Sequence, residues 1–325
     1  MASDSAALTR AAAGPAPLRL EMPDFRRWLQ LGLAAIWVLD GILQYQSFMF
    51  TRGFAQMLSG TASGNPAVIA DPITWAANIV QHHLVPTNAA FATIQLLLGL
   101  GIAFRPTLRA ALACSVVWAV AVWWFGEGLG GVLNGGASPV NGAPGAVIIY
   151  ALLAVLLWPA DRREDGGAPF AAARATGAGA ARILWLVLWG SLAYFAVTAD
   201  NRTAQGLHDM VAGMADGEPG WLGAVNRGGA SVLAHNGLAF SVVLCVLLAL
   251  VAVGAFLPPP AARAAVVLAV VLGLLLWVVG QDLGGILAGG ATDPNSGLLL
   301  VLLAAAYWPG SAPARPGRIA TEETA

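Results

Sequence analysis

Lysine is missing from this chain of 325 residues, so all sixteen basic side chains are arginine. Cysteine occurs twice, histidine four times, and charged residues make up only 10%. Each shortage removes a class of function. Without lysine, the glycine-dense stretches cannot be phosphate loops of the GxxxxGK[ST] kind, and their residue spacing is wrong as well. Cys114 and Cys245 lie in apolar runs with no CxxC, so a thiol–disulfide relay is not expected and both read as packed apolar residues. No HxxxH or carboxylate spacing supports a metal, and no metal site is expected. A formal net charge of −1 gives no reason to expect a nucleic-acid partner.

Apolar residues are abundant, at 58%. A soluble domain carries about 25% charged residues, and crossing a bilayer takes about 20 apolar residues as helix. The apolar runs are continuous rather than alternating, which predicts helices. Eight spans are expected, at 28–48, 86–104, 108–126, 143–159, 182–199, 233–256, 262–280 and 296–309. The lipid bilayer is therefore the first partner.

The chain also reads as written twice. One constant offset aligns Arg109 with Arg263, Trp123 with Trp277, Gly126 with Gly280, Gly130-Gly131 with Gly284-Gly285, and Asn141 with Asn295. The segments "GFAQMLSGTASGNP" (53–66) and "GLHDMVAGMADGEP" (206–219) match too. This is an internal duplication. The expected fold is an all-α polytopic membrane protein, two tandem parallel repeats of four helices each, at 26–160 and 182–310. Tails at 1–25 and 311–325 and a flexible linker at 161–181 complete it. Thirteen of the sixteen arginines fall in the tails or in connections 2–3, 4–5 and 6–7, the exceptions being Arg52, Arg202 and Arg227. The positive-inside rule then places both termini in the cytoplasm. The long connections after spans 1 and 5 face outside and are expected to hold short interfacial helices.

Three acids lie in or at the edge of apolar spans: Asp40, Glu127 and Asp282. An ionisable group in a membrane protein is costly to bury unpaired, which marks it as a candidate for proton handling. Gln44 and Ser47 share a helical face with Asp40, and Trp37 lies one turn away. The plainer reading of Glu127 and Asp282 is that they accept backbone N–H bonds from the glycine-rich hairpins that follow. Those hairpins read either as close-packing elements or as walls of a pocket. His82 aligns with His235, and the pair could hold a haem or metal, or simply meet interfacial water. Tryptophans gather at span ends as an aromatic belt, with Trp124 near the outer hairpin.

The segments "RRWLQLGLAAIWVLDGILQYQSFMF" (26–50) and "GEGLGGVLNGGASPVNGAPGAVIIYALLAVLLWP" (126–159) resemble the DoxX/DoxD-like membrane proteins. Those have a four-span unit with a long first outer loop and a glycine-rich turn before the last helix. The resemblance covers most of 26–159 and, more weakly, 182–309. It implies a subunit or scaffold of a quinone-linked redox system at the outer face, with a redox partner protein. Asp40, Glu127 and Asp282 would handle protons, and Gln44, Trp124, His82 and His235 would line a quinone site. A small-solute permease and a non-catalytic assembly protein are the competing expectations.

Overall fold

The computed structural model describes residues 24–159, 168–198 and 200–310. Among them there is no strand. Five helices are long and apolar enough to cross a membrane: Leu84–Ala103, Arg105–Phe125, Ala178–Phe195, Gly220–Gly254 and Pro259–Gly280. Apolar side chains on these helices face outward, among them Leu97, Val117, Val187, Val243 and Leu275. Water would penalise such a surface and lipid does not, so this is a helical membrane protein.

The first half holds α1 (Phe25–Leu43), α2 (Arg52–Gly60), α3 (Ala67–His82), α4 (Leu84–Ala103), α5 (Leu108–Phe125) and α6 (Ala146–Leu156). The second holds α7 (Ala173–Thr176), α8 (Ala178–Phe195), α9 (Ala204–Gly213), α10 (Gly220–Gly254), α11 (Pro259–Leu275) and α12 (Asn295–Ala306). In α1, Leu29, Leu33, Ile36, Trp37 and Asp40 are buried at helical spacing. That face packs on α4, where a Cβ at Gly99 would lie 2.7 Å from the Ala34 carbonyl oxygen. Only a bare backbone allows that approach.

The two halves repeat specific bonds. Arg27 donates to the Ile102 and Ala103 carbonyls at the end of α4, and Arg182 donates to Ala255 O (2.9 Å) at the end of α10. These arginines satisfy carbonyls that a helix end leaves open. Trp123 Nε1 donates to Pro144 O (2.7 Å), and Trp277 Nε1 to Pro294 O (2.8 Å). Each half also has four consecutive left-handed residues, Gly128–Gly131 and Asp282–Gly285. A Cβ at Gly130 would collide with the Pro144 carbonyl, so glycine is needed there twice over.

The long connections are themselves helical. α2 and α3 fill the first, and α9 fills part of the second. The span expected at 233–256 is instead the end of a single helix, α10, that starts at Gly220 and bends at Asn236. The tail 311–325 and most of the tail 1–25 lie outside the described residues, as do residue 160 and 161–167 of the linker. The remainder of the linker is packed rather than loose. Phe170 stacks on Tyr307 at 5.0 Å, and Ala172 N donates to Ala306 O (2.9 Å). An aromatic residue in an alanine-rich stretch gives that segment something to bury.

Candidate ligand cavity

A cavity of about 350 Å³ opens between α1, α2, α3, α4 and α5. That size lies within the usual range of small-molecule sites. Its walls are mostly aromatic and aliphatic, including Trp37, Phe54, Trp75, Phe91, Trp118 and Phe125. Asp40, Gln44, Gln95, Glu127 and Asp293 supply the polar part.

Asp40 is 1% exposed, and its Oδ1 has no hydrogen-bond partner. The helical spacing that places it inward also brings Gln44 to the cavity, four residues on. The Tyr150 hydroxyl of α6 lies beside the Asp40 carboxyl, though it too lacks a partner of full hydrogen-bond geometry. The Tyr150 ring packs on Trp37 with centroids 4.2 Å apart, and Trp37 Nε1 donates to Ser115 Oγ (3.0 Å). Asp40 is therefore held by a fixed aromatic frame.

Glu127 follows the end of α5. Its Oε1 accepts from Val147 N (3.2 Å) at the start of α6, while Oε2 is buried without a partner. Burial, then the neighbouring carboxylate of Asp293, pushes the Glu127 carboxyl well above the usual range. Asp293 comes from the second half. It accepts from Thr292 Oγ1 (2.8 Å) and Asn295 N (2.7 Å) ahead of α12, and burial raises it as well. Gln44 Oε1, Gln95 Oε1 and Trp118 Nε1 are also buried without partners. Buried polar atoms are normally paired, so a cluster of unpaired ones in one cavity points to a ligand.

The expected site residues divide into two groups. Asp40, Gln44 and Glu127 share the cavity. Asp282 does not line it and meets Glu218 and Asn226 instead. Trp124 is 38% exposed and stacks on Phe125 outside the cavity wall. His82 and His235 are exposed, and each ring Nδ1 pairs with a carbonyl of its own helix, Asn78 O (2.8 Å) and Ser231 O (3.2 Å). No group of three or more metal-ligating side chains occurs among the described residues.

Asp293 and Tyr150 escaped the sequence reading. Asp293 looks like an ordinary turn acid in "TDPNSG", and nothing local says that its hairpin reaches the opposite half. A second cavity, of about 280 Å³, lies beside Phe170, Trp185 and Tyr307. Its one charged wall residue, Arg182, already bonds Ala255 O. Comparison with protein-family models, curated proteins and solved structures finds no match for this chain.

Proposed function

We propose that this chain is a DoxX-like subunit of a quinone-linked redox system in the cytoplasmic membrane. On this reading it crosses the bilayer eight times, through α1, α4, α5, α6, α8, the later part of α10, α11 and α12. The helices form two parallel four-helix repeats with both termini in the cytoplasm. The bonds repeated between the halves and the distribution of arginine support that arrangement.

The observation that carries the function is the convergence of unpaired polar atoms from Asp40, Gln44, Gln95, Glu127 and Trp118 on one aromatic-walled cavity. A quinone head group fits this chemistry. Its ring suits the aromatic walls, and a carbonyl suits the unpaired indole N–H of Trp118. A bound quinone takes up two electrons and two protons when reduced. The electrons would come from a partner protein docked on the outer loops, since the chain has no redox centre motif. Glu127, its carboxyl raised by burial and by Asp293, would supply a proton at the cavity wall. Asp40 holds the second beside Tyr150.

Cavity tryptophans provide the test. Titration of the purified chain in lipid nanodiscs with a short-tailed benzoquinone should quench Trp37, Trp75 and Trp118 fluorescence saturably. Asp40→Asn and Glu127→Gln should weaken that binding at least tenfold. Non-saturable quenching that is the same in both variants would reject the site.

A second reading has its own support. Acceptors outnumber donors at the cavity, with Gln44 Oε1 and Gln95 Oε1 adding to the carboxylates. Carboxylates among aromatic rings also suit an organic ammonium ion. Binding of benzylammonium in place of quinone, lost in the same variants, would favour a solute permease.

A further inference from the structure

Asp282 was expected at the same site as Glu127, and the fold gives it different company. It lies after α11, 2% exposed, with its carboxyl against Glu218 and the Asn226 amide. Asn226 is fully buried, anchored by donation from Nδ2 to Val279 O (3.1 Å). Asp282 Oδ1, Asn226 Oδ1 and both carboxylate oxygens of Glu218 are buried without partners. The ion pairs among the described residues, Arg174–Asp24 and His208–Asp209, lie elsewhere. Arg227, the closest arginine along α10, folds back over Gly223 of its own helix. Two carboxylates thus adjoin with no ion pair among the described residues to neutralise them, which a fold tolerates only with a proton or a cation between them.

The first half carries the control. There Gly128 stands where Asp282 stands, with the same left-handed backbone. A Cβ on Gly128 would lie 3.2 Å from Asn65 Nδ2 and 3.5 Å from Ile73 Cδ1. Asn65 and Ile73 are the counterparts of Glu218 and Asn226. Three touching positions therefore read glycine, asparagine and isoleucine in one half, and aspartate, glutamate and asparagine in the other. Aspartate at a φ of 53° is also a strained replacement for glycine. A change that adds strain and unpaired charge together, and brings only oxygen donors, has the form of a binding site.

We propose that Asp282, Glu218 and Asn226 bind a divalent, oxygen-seeking cation of the Ca²⁺ class. Two carboxylates and an amide carbonyl are hard ligands, which this class prefers to nitrogen or sulfur. The cation joins the segment after α11 to Glu218 ahead of α10 and Asn226 within it, and so fixes the second hairpin to the second long connection. In the proposed topology the site faces outside, where sites of modest affinity, on the order of 10⁻⁴ to 10⁻³ M, suffice. Burial, then Glu218, pushes the Asp282 carboxyl up to about 7, so a proton is the natural competitor.

CaCl₂ alone is the probe, with the full chain in nanodiscs stripped by chelator. Isothermal titration should give one saturable Ca²⁺ per chain and a rise in apparent Tm. Asp282→Gly and Glu218→Asn install the residues of the first half, so both are expected to fold. Each should lose Ca²⁺ binding by at least tenfold while keeping its cation-free Tm, and quinone quenching should not change in either. Absence of saturable heat in the wild type overturns the proposal, as does undiminished binding in either variant. A Tm that follows pH through neutrality and ignores Ca²⁺ also overturns it, and assigns a shared proton to the pair.

Discussion

Glu127 and Gln281 occupy matching places in the two halves, and the comparison separates scaffold from chemistry. Glu127 Oε1 accepts Val147 N (3.2 Å), and Gln281 Oε1 accepts Gly297 N (2.8 Å). An amide therefore does the structural work as well as a carboxyl. The halves differ in what lies opposite. The hairpin of the second half brings Asp293 to Glu127 across the cavity. The hairpin of the first half brings the Pro139 carbonyl to Gln281, whose Nε2 donates to it (3.2 Å) and to Ser296 Oγ (3.0 Å). One arrangement is closed, with donors matched to acceptors. The other leaves Glu127 Oε2 unpaired beside an acid and a cavity. The unpaired member is the one to suspect of function.

The strongest break of this comparison removes what both halves need. Gly130→Ala puts a Cβ onto the Pro144 carbonyl at a φ of 63°. No monodisperse protein should be recovered by size-exclusion chromatography. Gly285→Ala, at a φ of 69° with open space around its Cβ, should cost only about 1 kcal/mol.

The reciprocal exchange comes next. Gln281→Glu loses two donated bonds and buries a charge against Pro139 O, so it should destabilise by about 3 kcal/mol. Glu127→Gln should stay within about 1 kcal/mol of wild type, because its twin shows that the amide fits. Thermal melts in matched detergent would decide, and equal effects would erase the distinction between the halves.

A pH series sharpens it further. The Glu127 carboxyl is raised in the folded protein relative to the ordinary value of about 4.3 in an unfolded chain. Its stabilising contribution is complete below that value and is lost as pH rises through the higher folded value. Apparent Tm should thus decline with rising pH above about 4.3, and less so in Glu127→Gln. Identical profiles would mean that Glu127 does not carry the titration.

The smallest effect tests sameness rather than difference. Trp123→Phe and Trp277→Phe each delete one indole bond to a proline carbonyl. Each should cost about 1 kcal/mol in a chemical melt, and the two losses should match.

Much of this was legible in advance, for local reasons. Continuous apolar runs located the helices, because lipid demands a full turn-by-turn apolar surface. Asp40 and Gln44 could be placed on one face, because four residues make about one helical turn. The grouping of Asp282 with Glu127 did not follow from sequence. The aligned partner of Glu127 is Gln281, one residue earlier, and a shift of one residue on a turning backbone changes direction entirely. Asp293 was missed because its role depends on a hairpin crossing between halves. Glu218 and Asn226 were missed because their contact with Asp282 is made by folding and leaves no spacing to read.

The crossing hairpins tie the two halves to one another. The first reaches Gln281 and Asn201 of the second half, and the second reaches Gln46, Phe48 and the cavity of the first. Neither half completes its own hairpin surroundings, so a change in either hairpin alters the half that receives it as well as the half that carries it.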